Sequence, residues 1–313
     1  MVKSLFSILI FPGFLFVSAL SLVADFFDRK LHARLQNRVG PPWFQPLADF
    51  IKLLAKEEVI PKDANATMFC LAPVFALASA ATAFLYIPLW NTEALFSFNG
   101  DIIVVLYLLT LPTMTFFIGG WYSTSLFARI GSVRAITQLF AYEIPLFMGI
   151  LSSALLADTW SLYGITVFYN NRPFFWLLNI IGFAVSLISL MGKLEKVPFD
   201  IPEAETEVVA GVFTEYSGRF LAFFRLTLCI EMVAGAALLA AVFMPVGLGL
   251  GPLARFVIFI AEVFFIISLI SLLRTIFARL RIDQMIRFCW KYMVPLALLQ
   301  LLINLFAKGI VLR

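Results

Sequence analysis

Between residues 195 and 220 the chain reads EKVPFDIPEAETEVVAGVFTEYSGRF, and within it stand the carboxylates Glu195, Asp200, Glu203, Glu205, Glu207 and Glu215. The segment links two intensely apolar runs. Carboxylates pressed into low dielectric beside like charges hold protons more tightly than in water, so some of these acids can exchange protons near neutral pH. A proton or ion path would begin with such groups. Three more acids lie inside apolar runs: Glu143 in QLFAYEIPLF, about two helical turns in, and Glu231 and Glu262, deep in theirs. Each would cost several kcal/mol facing lipid, so each is expected to face a bundle interior, pairing with Arg134, Arg225 or Arg274 or sharing protons through water. A structural ion pair or a protonated, hydrogen-bonded carboxyl is the competing reading.

The elements that must position these acids are membrane helices. Of the 313 residues 62% are hydrophobic and 13% charged, and the mean hydropathy is +0.98, which excludes a soluble domain. Runs long enough to span a bilayer, roughly 20 residues each, occur at about 4–27, 66–90, 102–121, 136–157, 173–192, 216–244, 252–273 and 290–308. They predict an all-α integral membrane protein, one polytopic domain over 1–313 with about eight transmembrane helices. The first run contains Pro12-Gly13 and no small-residue cleavage site, and reads as a mature helix.

Lysine and arginine gather in the first, third, fifth and seventh links, about 28–65, 122–135, 193–215 and 274–289, while the even links hold little more than Arg172. The positive-inside rule then puts the odd links in the cytoplasm and both termini outside an inner (cytoplasmic) membrane. The sequence pI of about 9.0 reflects this asymmetry and not affinity for nucleic acid. Cys70, Cys229 and Cys289 lie far apart without a CxxC pair, and His32 is the single histidine. No metal site is expected, and no cofactor within this chain.

The first link contains QPLADFIKLLAKE, with Leu47, Phe50, Ile51, Leu54 and Ala55 on one helical face and Asp49, Lys52, Lys56 and Glu57 on others. Such a helix lies in the interface plane or docks on a neighbouring subunit. In the acidic link, Asp200 can cap a helix beginning near Pro202, which would bring Glu203 and Glu207 to one face.

Five motifs in order resemble one membrane component, called subunit 1 or the H subunit, that respiratory complex I shares with the energy-converting membrane-bound hydrogenases. They are DRKLHARLQNRVGPP, ADFIKLLAKE, GGWYSTSLFARIGSVRAITQLFAYEIP, VPFDIPEAETEVVAGVFTEYSG, and RTIFARLRIDQM with WKYMVP. The resemblance implies a subunit that anchors a soluble electron-transfer arm and, in complex I, forms much of the quinone cavity. It implies that Arg29, Arg34, Arg38, Arg274, Arg279, Arg281 and Asp283 line or brace the cavity mouth, with Asp49 in the same docking region. Glu143, Asp200, Glu203, Glu205, Glu207 and Glu215 would begin a carboxylate path, with Arg134 and Gln138 beside it and Glu231 further in.

Complex I usually has Glu at Asp28, Asn at Pro42 and Pro at Ala278, and an Asn and a Lys at Thr124 and Leu126; its early sixth-span acid falls on Leu228, one turn from Glu231. SLFARIGSVR is closer to the hydrogenase branch. The mixture implies a ferredoxin-linked hydrogenase or sulfur-reductase type of complex, whose partner subunits carry iron–sulfur clusters and, in a hydrogenase, a NiFe centre. Soluble hydrogenase-like subunits, antiporter-like membrane subunits and lipid are the expected neighbours. The reading is a non-redox membrane-anchor and energy-coupling subunit; a quinone-cavity subunit and a stand-alone secondary ion transporter are the alternatives.

Overall fold

The computed structural model describes residues 2–89, 94–172, 175–244 and 250–311. In chain order the helices are α1 (Val2–Leu9), α2 (Phe14–Leu35), α3 (Gln45–Ala55), α4 (Ala66–Leu85), α5 (Asp101–Tyr122), α6 (Leu126–Ala157), α7 (Leu162–Asn171), α8 (Phe175–Leu178), α9 (Ile180–Lys193), α10 (Glu205–Val208), α11 (Gly218–Phe243), α12 (Pro252–Ile276), α13 (Ile282–Phe288) and α14 (Val294–Val311). A 3₁₀ turn at Gly211–Phe213 follows α10, and a π-helical stretch, Cys289–Met293, joins α13 to α14. The protein is all-α: among the described residues, seven helical segments are long and apolar enough to cross a membrane, and Ile180–Lys193 is a shorter apolar helix.

Several boundaries differ from those the sequence suggests, each for a local reason. The third link is mostly helix, because LFARIGSVRAITQLFAYE contains no proline before Pro145 and α6 therefore starts at Leu126. Likewise α2 runs on to Leu35 and α13 begins the last span at Ile282. The fifth run is broken at Asn179, whose amide is drawn into a buried cluster with Tyr169, Gln300 and Asn304. Sharing these hydrogen bonds between helices satisfies polar groups that lipid could not.

At the centre lies α11, buried along nearly its whole length from Ile230 to Phe243. Ala234, Gly235, Ala236, Ala237, Ala240 and Ala241 let neighbouring backbones come close, and a Cβ on Gly235 would sit 2.4 Å from Leu190 Cδ1. Around α11 pack α2, α3, α4, α9 and α12, while α6 joins α5, α9 and α14 on the other side. The predicted interfacial helix exists as α3, with a divided face: Pro46, Phe50 and Leu53 turn towards the protein, whereas Leu47, Ile51 and Leu54 stay exposed. An outward apolar stripe suits the interface plane.

Candidate functional site

The four cation-rich links meet at one end of the bundle. Asp28, fully buried near the end of α2, receives Lys196 from the acidic link, the Arg274 guanidinium of α12 at 3.3 Å and the Ser271 hydroxyl. Three other ion pairs hold the acidic link: Arg279 Nε to Asp200 at 3.1 Å, Arg225 to Glu203 at 3.2 Å, and Arg134 of α6 to Glu207 at 2.5 Å. Gln138, also on α6, donates to the carbonyls of Gly192 and Phe199 at 2.7 and 2.8 Å. The link turns back at Gly211, φ +52°, where a Cβ would lie 1.8 Å from the Pro202 carbonyl oxygen; only glycine fits. Gly131 of α6 faces this turn and lets the link lie against the helix.

Behind these tethers is a cavity of about 440 Å³ whose wall carries the acids Asp25, Asp28, Glu195, Asp200 and Glu203 and the cations Arg29, Lys196, Arg225, Arg274 and Arg279. With opposite charges this close together, the wall can answer a change of one proton or electron by re-pairing. Asp25, Arg29, Arg225 and Cys229 also border a second hollow, about 350 Å³, lined on its other side by Leu22, Pro46, Phe50, Leu53 and Leu226 between α2, α3 and α11. Arg29 bonds Asp25 at 2.7 Å and Asp49 at 3.3 Å at this boundary.

The carboxyls of the link differ in proton affinity. Burial pushes Glu195 well above the usual carboxylate range, and the neighbouring charges of Glu203 and Glu231 push the same way. The Arg134 guanidinium, by contrast, holds the exposed Glu207 carboxyl below it. Deeper still, Lys193 Nζ lies 2.8 Å from Glu231 Oε1 and donates to the Leu109 carbonyl, both side chains being sealed from solvent. Tyr142, also buried, shares a 3.2 Å hydrogen bond with Thr113.

Of the residues singled out in the sequence, Arg29, Asp200, Glu203, Arg274 and Arg279 come together on the cavity wall, and Asp49 borders the adjoining hollow. Gln138, Arg134 and Glu207 secure the acidic link beside it. Arg34, Arg38, Arg281 and Asp283 are exposed and do not line the cavity. Glu215 is half-buried with no ion pair among the described residues, and Glu205 opens α10 with its side chain outside the described part.

Two expectations are corrected. Asp200 caps no helix: α10 begins at Glu205 with Ala204 before it, because Asp200 is taken by Arg279 and Glu203 by Arg225. Glu231 pairs with Lys193, whose charge also reaches Glu143, and neither acid pairs with Arg134, Arg225 or Arg274 among the described residues; Glu262 on α12 is only partly buried. Lys193, Lys196, Asp25 and Arg225 escaped recognition as site residues. The signal existed for Lys193, since Gly182, Ser186, Ser189 and Lys193 recur at helical spacing on one buried stripe, and for Asp25, three residues before Asp28.

Residues 6–305 match the family model described as NADH dehydrogenase. The NADH-quinone oxidoreductase H subunit of Dehalococcoides mccartyi (strain CBDB1) is 36% identical over 301 residues, covering 94% of this chain and 84% of the relative. The second H subunit of the NADH-quinone oxidoreductase of Syntrophobacter fumaroxidans is 33% identical over 318 residues, covering 96% and 95%. Among solved structures, a chain of the membrane-bound sulfane sulfur reductase, an archaeal respiratory membrane complex, has the same fold with a TM-score of 0.84 at 23% identity, covering 97% of this chain and 98% of that one. The order of motifs, the converging links and these matches have one reading: the chain belongs to the NADH dehydrogenase family of complex I H subunits (subunit 1), as a multi-pass membrane component of a complex I-like respiratory oxidoreductase.

Proposed function

We propose that this subunit couples electron transfer in a docked soluble arm to proton or sodium movement in neighbouring membrane subunits, without a redox centre of its own. The observation that carries this reading is the continuity of charge: Glu195 lines the cavity and acts on Glu231, which is paired with Lys193 in the sealed interior. The ion pairs of the acidic link have their partners on α2, α6, α11 and the segment after α12, so moving the link disturbs several helices at once. A unit charge arriving about 10 Å from a carboxylate shifts its energy by about 1.7 kcal/mol at an effective dielectric of 20, enough to move a proton equilibrium more than tenfold. Reduction in the arm therefore changes the protonation of the link, and Glu143 passes the change outward. The cation asymmetry supports a cavity end facing the cytoplasm, with both termini outside the cytoplasmic membrane.

The arm we favour is ferredoxin-linked, of hydrogenase or sulfur-reductase type, with iron–sulfur subunits docked on the exposed first and last links. A quinone-binding role is the second reading, supported by the apolar hollow beside α3 and by the names of the relatives. A quinone would supply a two-electron, two-proton acceptor; Arg29 and Arg274 would orient its oxygens and Leu22, Phe50 and Leu53 would cover its tail. The discriminating experiment supplies the intact complex with reduced ferredoxin and compares hydrogen evolution, sulfur-compound reduction and quinone reduction. Hydrogen or sulfide without quinone reduction supports the first reading; quinone reduction abolished by Arg29→Gln supports the second.

A further inference from the structure

A lysine ending an apolar helix ordinarily carries its ammonium out to the headgroups on its four-carbon stem. Lys193 ends α9 and does the reverse, being 2% exposed with its ammonium between Glu231 of α11 and the Leu109 carbonyl of α5. That carbonyl lies in the turn before Pro112, whose missing N–H leaves the adjacent Leu108 carbonyl without its helical donor. Among the described residues Lys193 is the only cation paired with Glu231, and its charge also reaches Glu143 of α6. Tyr142, next to Glu143, packs against Gly192, next to Lys193, so the α6–α9 contact brings the Glu143 position to the end of α9 where Lys193 stands. They differ in outlook: Glu231 is sealed, whereas Glu143 is half-buried and opens towards the outside of the bundle.

We propose that Lys193 is a two-position relay, its ammonium held by Glu231 in the present state and by Glu143 in the other, so that one swinging side chain links proton entry at the cavity to proton exit at the bundle surface. This rests on the coupling reading above. One ammonium in a dry interior stabilises one carboxylate, and the second acid carries a proton. When Glu195 passes its proton to Glu231, that carboxyl becomes neutral and releases Lys193. The ammonium turns to Glu143, whose proton leaves towards the neighbouring membrane subunit as its carboxylate forms. Glu195 recovers a proton from the cavity, and the cycle closes when Glu231 gives its proton to Glu143 and Lys193 swings back, so that one proton has entered and one has left while Lys193 stays charged.

The test uses the whole complex in phosphatidylcholine liposomes with an internal pH dye and a parallel assay of electron flux. Lys193→Gln alone would strand Glu231, so the measured variant is Lys193→Gln with Glu231→Gln, which removes both charges. The relay predicts electron flux near wild type with the protons moved per electron falling about tenfold, as expected when a two-state element loses one of its states. An unchanged ratio overturns the relay, and if Glu143→Gln still lowers the ratio in that case, the coupling reading survives it. Infrared difference spectra of the native complex give a second, assembly-independent test. A carboxylic C=O band that disappears on reduction and is missing in Glu143→Gln supports deprotonation of Glu143, and the absence of any such band overturns the relay.

Discussion

Asp28→Asn removes the charge on which three parts of the chain converge, and its cost can be worked from the geometry. The carboxylate is fully buried and meets Lys196, Arg274 at 3.3 Å and the Ser271 hydroxyl. Each cation contact at about that distance is worth about 5 kcal/mol at an effective dielectric of 20, against a desolvation cost of several kcal/mol for the buried carboxylate. Breaking such a site by removing one partner costs about 3–5 kcal/mol. The Lys196 and Arg274 side chains keep 17% and 26% exposure, so water recovers part of their solvation. The expected loss is therefore near the lower end, about 3 kcal/mol, or roughly 6 to 12 °C in melting temperature. A thiol-reactive fluorophore reads it on the detergent-purified complex, since Cys289 is buried until the bundle opens. The exposed Arg34 gives the control, because Arg34→Gln should change stability by less than about 0.5 kcal/mol. A shift for Asp28→Asn no larger than that of Arg34→Gln would refute the reasoning.

Gln138→Leu leaves the Phe199 carbonyl without its donor and the Gly192 carbonyl with only the Glu195 N–H at 3.3 Å, at a cost of about 1–3 kcal/mol. Hydrogen exchange across residues 195–215 should rise while exchange in α11 stays slow, and uniform exchange would contradict it. The raised Glu195 carboxyl makes stability fall with pH: its neutral form contributes fully below the ordinary value of 4.5, and the contribution is lost as pH rises through the raised value. Glu203 and Glu231 raise it further, and Arg225 and Lys193 oppose them. Glu195→Gln, neutral throughout, should gain stability relative to wild type as pH rises, and parallel melting curves across the range would count against it. Gly211→Ala drives a methyl into the Pro202 carbonyl and adds φ strain of about 1–3 kcal/mol, so the variant should lose the protection of the acidic link from limited proteolysis, whereas Gly251→Ala, with open space around it, should not.

Hydropathy and the order of motifs made the membrane helices, the interfacial α3 and the acidic link legible in the sequence. What stayed hidden is where long side chains point. Lys193 reads as a topology marker at the end of an apolar run, and only the packing of α9 on α6 and α11 turns it inward. Asp25 and Asp28 share the end of α2 with Arg29 and Lys30, a mixture that reads as a solvated helix end until α12 delivers Arg274 and Ser271. The cap predicted at Asp200 failed because capping competes with tertiary ion pairs, and Arg279, almost eighty positions later, wins. The third link was misread for the opposite reason: GSVR looks like a loop, yet Gly131 serves the close approach to Gly211 and Arg134 the bond to Glu207.

The most direct measurement is the number of ions moved per electron by the reconstituted complex carrying Glu143→Gln or Glu207→Gln, at matched electron flux. If the subunit couples the two processes, at least one substitution lowers the ratio while electrons still flow, with Glu143→Gln the more severe because it removes the half-buried acid that the Lys193 charge reaches, whereas Glu207 is exposed. Both variants pumping at the wild-type ratio would contradict the account and leave the chain as an anchor for the soluble arm.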